Sequence, residues 1–404
     1  MAASSIQHPV SSTTVFLDQP PSCLQFCPGS PDYFVVGTYL LSESKRDDGE
    51  TEQKKTGSLQ LWKVNCTSNE LSQVQRLPLP HAVFDLHFHP REPTIFAIAT
   101  SAGSISLFSV SNSDSTSSQP CIRELWTLSV HEDPSIPALF LAWTPQHWFS
   151  SSAMDGFAVT FSDGRTTLFG TTEPLAQEKN TVAELGSFQA RQAIEVWFVA
   201  TAAYSECEDV ETIQPCTPYM FTGNDFGSLH TRRFDSCSAE ENDEDLSSRL
   251  VLDHDDRARH HTAGVTSILP LPVPLQDGAP LILTGSYDES LRLYHASPRG
   301  SVLAETCLGG GVWRLQLLRS EKVSASEWMF LVLASCMHAG TRLVRVTRAN
   351  DEWTMEVMAE FTEHQSMNYA SDVWKGNADG SNELVVVSSS FYDKRVCLWR
   401  ARDQ

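Results

Sequence analysis

The chain repeats one pattern. Seven times, a stretch of alternating apolar residues runs into a tight polar turn and then a short strand that ends in an aromatic or branched residue. The clearest copy is Leu281 to Tyr294 (LILTGSYDESLRLY), preceded by His261 to Ile268 (HTAGVTSI). The corresponding strand ends elsewhere are Leu59–Trp62, Ile105–Phe108, Thr166–Phe169, Ser228–His230, Arg342–Val344 and Val396–Trp399. A unit of this length is a small antiparallel sheet that cannot bury both of its faces alone. Stacking against its neighbours is what makes it stable.

These features predict an all-β chain, a seven-bladed WD40-type β-propeller in which residues 1–404 form a single domain. The seventh copy stops at Trp399 with only Arg400 to Gln404 left, so its outer strand has to come from elsewhere. The apolar run Thr13 to Leu17 is placed to supply it, closing the fold with an N-terminal strand and leaving few unpaired edges.

Composition narrows the function. The net charge of −21 argues against nucleic acid, whose phosphates need lysine and arginine. A cationic partner is easier to accommodate. Much of the acid lies in expected surface insertions near 43–55, 205–215 and 236–248, which read as solvated loops. No apolar run approaches the length that spans a bilayer, and Met1 to Ser5 opens no basic-then-apolar leader, so neither membrane nor secretion is expected. Ten cysteines lack paired zinc spacings, which points to reduced thiols in the cytoplasm and to no metal. A single copy, a monomer, is expected.

In a WD-type blade a histidine before the first strand, a hydroxyl on the second and an aspartate in the following turn form a buried network. His261, Asp288 and Thr284 or Ser286 fit those places, and Asp393 repeats the position of Asp288. All are read as structural, because a satisfied buried network explains them. The sixth copy breaks the rule: His338 stands where the aspartate should be, and the preceding loop, Gly309 to Arg314 (GGGVWR), offers no histidine partner. Imidazole titrates near neutral pH, so His338 is either a general base or a histidine bound to a neighbouring loop.

The starts of the first strands carry Glu195 and Trp197, Trp313 and Arg314, and Tyr369, Asp372 and Trp374. Aromatics and carboxylates at one opening form a cage for a quaternary ammonium group, or else pack the blades. Cys336, two residues before His338, points to the same face if the strand is continuous. Ser388 to Ser390 offer hydroxyls beside Asp393. No nucleophile elbow, His-Glu-x-x-His or phosphate loop is present.

The segments HTAGVTSI from His261, TGSYDE from Thr284, GGVWR from Gly310, ASCMHAG from Ala334, YASDVW from Tyr369 and SFYD from Ser390 together resemble the WD-repeat diphthine methyl ester hydrolases, also catalogued as diphthine methyltransferases. The resemblance covers mainly residues 190–400. It implies a carboxylic ester hydrolase of diphthamide biosynthesis that needs no cofactor. Its substrate would be methylated diphthine on elongation factor 2, whose methyl ester is removed ahead of the final amidation. In that setting His338 is the expected base, and Asp372 or Glu195 orients it or meets the substrate's trimethylammonium group. Arg314 or the glycine-loop N–H groups face the oxyanion, and Glu195, Trp197, Trp313, Tyr369 and Trp374 bind substrate. The alternative is a non-catalytic scaffold or adaptor, in trafficking or ubiquitin ligase recruitment. A methyltransferase would need a βαβ cofactor unit, which the all-β pattern does not supply.

Overall fold

A computed structural model of the chain describes residues 6–45, 51–112, 119–151, 153–176, 181–205, 216–235, 246–324, 326–376 and 382–403. These residues form seven antiparallel sheets. In chain order the first strands are Pro21–Phe26, Val83–Phe88, Ala138–Trp143, Val196–Tyr204, Val265–Pro270, Arg314–Lys322 and Ala370–Val373. Each is followed across its sheet by three further strands, written b, c and d below. Seven of the alternating stretches seen in the sequence therefore become seven sheets.

An N-terminal strand closes the seventh sheet, as the apolar run before the first copy predicts. Ser11–Phe16 pairs antiparallel with Arg395–Arg402, with Thr14 opposite Cys397, and so forms the outer strand of the seventh sheet. The first sheet carries an extra feature. Leu40–Lys45 pairs with the first part of Thr51–Asn65, Leu40 opposite Thr56 and Lys45 opposite Thr51. The acidic insertion expected near 43–55 is thus, in its described part, an exposed extension of a hairpin rather than a loop. The insertions at 205–215 and 236–248 lie mostly outside the described residues; the second ends in a short 3-10 turn, Leu246–Arg249.

Burial explains the sequence pattern. The b strands Ile95–Thr100 and Leu281–Ser286 are buried at every position, because both of their faces are covered, and they read as near-continuous apolar or small runs. The d strands Leu250–Asp255 and Ser11–Phe16 face solvent on one side and alternate.

By compactness the chain divides into two units. One comprises Met1–Ala138, Ser335–Arg342 and Met358–Gln404; the other comprises Leu139–Ala334 and Leu343–Val357. The core of the first unit includes Phe34, Trp62, Val387, Leu398 and Phe26 around one sheet pair and Phe88, Phe96 and Phe108 around another. The second unit packs Trp148, Tyr219, Phe221, Phe234 and Tyr294 into one continuous cluster. Fully burying side chains of this size stabilises the fold by about 1.5–3 kcal/mol each.

Candidate active site

Buried hydrogen-bond networks fix the structural histidines. In the fifth sheet His261 Nε2 lies 2.9 Å from Thr284 Oγ1. Asp288 does not touch the ring; its Oδ2 accepts the Thr262 N–H at 2.9 Å and its Oδ1 accepts Arg292 at 2.9 Å. Burial pulls the His261 imidazole down to about 3, so it is neutral.

The seventh sheet repeats this arrangement with a residue that sequence reading missed. His364 Nε2 lies 2.7 Å from Ser388 Oγ, Trp399 Nε1 donates to the same hydroxyl at 3.0 Å, and Asp393 Oδ2 accepts the Gln365 N–H at 3.2 Å. The signal was available: Gln365 follows His364 as Thr262 follows His261, and both N–H groups serve the turn aspartate. Ser388 is therefore occupied by the network.

In the first unit, the sixth-sheet turn is built by backbone geometry. The strand Trp328–Ser335 ends, Met337 adopts a φ of 40°, and Gly340 a φ of 84°. A Cβ on Gly340 would collide with the Phe361 carbonyl oxygen, so only glycine fits there. Cys336 N–H donates to the Gly340 carbonyl at 2.7 Å, and Ala339 N–H to that of Cys336 at 2.8 Å. His338 sits at the tip of this turn and is exposed, whereas Cys336 is completely buried. The expectation that the two share a strand face does not hold, because the strand stops before Cys336.

Beneath the turn lies a polar cluster not anticipated from sequence. Asn368, fully buried, accepts from Thr341 Oγ1 at 3.0 Å and donates to the carbonyls of Ser389 at 2.7 Å and Ala370 at 3.0 Å. Ser371 Oγ lies 3.0 Å from both Ser335 Oγ and Thr341 Oγ1.

Asp372 does not orient a base in this arrangement. Its side chain is 2% exposed, with Oδ2 accepting the Phe26 N–H and Oδ1 the Val373 N–H, both at 2.7 Å. Tyr369 and Trp374 flank opposite ends of Ala370–Val373, so they do not line one opening. Tyr369 packs edge-on against Phe391 at 5.4 Å, and Trp374 Nε1 donates to Asp32 at 3.0 Å.

The second unit does bring Trp197 and Trp313 together, with ring centroids 5.6 Å apart. Tyr287 completes the group at 6.3 Å from Trp197 and 5.9 Å from Trp313. All three rings are half-buried. The anion here is Asp225 rather than Glu195: Trp197 Nε1 donates to Asp225 Oδ1 at 2.7 Å, while the Glu195 carbonyl accepts the Asp225 N–H at 3.0 Å. Arg314 is not poised for an oxyanion. Its guanidinium stacks on Trp313 at 4.7 Å, Phe140 at 4.8 Å and Phe198 at 5.5 Å, and donates to the carbonyls of Thr266 and Trp313. Among the described residues no cluster of histidine, cysteine, aspartate and glutamate is placed to hold a metal.

Seven antiparallel sheets, the fifth and seventh carrying buried histidine–hydroxyl networks, define a WD-repeat β-propeller. The fold agrees with the crystal structure of Saccharomyces cerevisiae Sqt1, which matches 98% of this chain and 100% of that one with a TM-score of 0.57 at 10% identity. No family model matches the chain. Along nearly its whole length the chain is similar to proteins named diphthine methyltransferase. It is 26% identical to that of Schizosaccharomyces pombe over 96% of this chain and 97% of the relative. It is also 23% identical to the Dictyostelium discoideum diphthine methyltransferase homolog over 96% and 99%.

Proposed function

We propose that the chain acts in diphthamide biosynthesis as a carboxylic ester hydrolase, removing the methyl ester from methylated diphthine on elongation factor 2. The observation that carries this reading is the near-full-length relationship to proteins named diphthine methyltransferase. Hydrolysis is favoured over methyl donation because the described residues form strands without an α-helix, and so include no βαβ unit of the kind that cradles a nucleotide-derived methyl donor.

The reaction needs a base and a water. His338, exposed at a rigid turn, takes the proton from the attacking water as oxygen bonds to the ester carbon, then returns it to the departing methoxide. Methanol leaves, and the carboxylic acid left on the substrate gives its proton to solvent to become the carboxylate. Taken by itself within the second unit, the Trp197–Tyr287–Trp313 group with Asp225 suits a quaternary ammonium, whose charge is drawn to π faces and to a nearby carboxylate.

Incubating the purified protein with methyl-esterified diphthine on elongation factor 2, without nucleotide or methyl donor, tests the proposal by mass spectrometry. Loss of the mass of one methylene group is the expected result. An unchanged mass with folded protein returns the chain to the class of non-catalytic propeller scaffolds.

A further inference from the structure

We infer that Asn368 is a positioning residue for the His338 turn, an inference that rests on His338 being the base of the proposed hydrolysis. The turn has two feet, Ser335 at the end of one strand and Thr341 at the start of the next. Both feet are tied to the same short segment. Thr341 Oγ1 donates to Asn368 Oδ1 at 3.0 Å, and Ser371 Oγ joins Ser335 to Thr341 at 3.0 Å each. A third tie reaches the turn itself, where Asn368 N–H donates to the Met337 carbonyl at 3.0 Å, next to His338.

Asn368 cannot drift, because its amide group also donates to the Ser389 and Ala370 carbonyls. Thr341 and Asn368 are fully buried and Ser335 nearly so, which strengthens each bond and leaves no water to replace one that is lost. The sixth sheet lacks the histidine and aspartate that brace the fifth and seventh turns. The Asn368 cluster takes over that bracing from the neighbouring strand. A turn foot displaced by an ångström moves the exposed imidazole it carries by a comparable distance, enough to cost one or two orders of magnitude in rate.

The test uses Thr341→Val, which removes only the hydroxyl, with Thr341→Ser as the restoring variant and His338→Ala as reference. Thr341→Val is expected to lower kcat at least about tenfold with KM little changed, to speed amide exchange at Ala339 and Gly340, and to lower the thermal midpoint while the protein stays folded at the assay temperature. Thr341→Ser is expected to restore kcat and exchange together. In the His338→Ala background, Thr341→Val is expected to add no further loss, because the two act as one unit. Normal kcat in Thr341→Val while His338→Ala is inactive overturns the inference alone. Normal turnover in His338→Ala overturns the base assignment and the inference with it.

Discussion

Asp372 and Gln25 hold the same place in successive sheets: Asp372 Oδ2 accepts the Phe26 N–H at 2.7 Å, and Gln25 Oε1 accepts the Phe88 N–H at 2.8 Å. Each lies opposite the third residue before the end of its b strand, Val387 and Val35 respectively. A first strand has one unpaired edge, so its N–H groups need partners, and these side chains supply them from the preceding sheet. Asp372 is thereby a stitch between first strands.

Asp372→Asn keeps one of the two acceptors, and turnover and folding are expected to survive it with a smaller loss of stability than a full truncation. Asp372→Ala strands the Phe26 and Val373 N–H groups and is expected to cost about 1–3 kcal/mol in urea denaturation. Loss of turnover in a fully folded Asp372→Asn protein would assign the carboxylate to chemistry instead.

Stability should fall with acid below neutral pH. Burial holds His261 down to about 3 and His364 down to about 4, whereas each titrates near 6.5 when unfolded. Between those limits the unfolded chain binds more protons, so unfolding is favoured as pH drops, and the stabilisation is complete only above the unfolded value. Each histidine is expected to contribute a loss of about 2 kcal/mol between pH 7 and 5. Denaturant midpoints across that range check this, with His364→Gln flattening the slope. A stability that holds level or rises toward pH 5 contradicts the two neutral imidazoles.

The Trp197–Tyr287–Trp313 group gives a binding prediction independent of turnover. Tetramethylammonium should quench tryptophan emission saturably, while tert-butanol, similar in shape but neutral, should not. Asp225→Asn and Tyr287→Ala are each expected to weaken the cation response by about 1 kcal/mol, roughly fivefold. Equal responses to cation and alcohol would leave the three rings as packing.

How legible the chain was depends on whether a feature repeats. The seven sheets, the N-terminal closing strand and the roles of His261 and Asp288 follow from a pattern that recurs along the sequence, where each copy checks the others. His364 was missed because Asp393 was matched by its turn alone and not by the loop residue that precedes the blade. Asn368, Tyr287 and Asp225 carry no local signal, since their partners are far away in sequence: Thr341 and Ser389, Trp197 and Trp313, Trp197 again. The same limit misplaced Arg314 and Trp374. Their neighbours in the chain suggested an opening, but their contacts in space are aromatic faces and Asp32.

The most direct measurement runs the reaction with methylated diphthine on elongation factor 2 in water enriched in heavy oxygen and reads the label in the products. Attack of water on the ester carbon predicts one heavy oxygen in the new carboxylate and none in the released methanol, with the rate lost in His338→Ala. Label in the methanol, or no release of methanol by the folded protein, would contradict an ester hydrolase that works through a base-activated water.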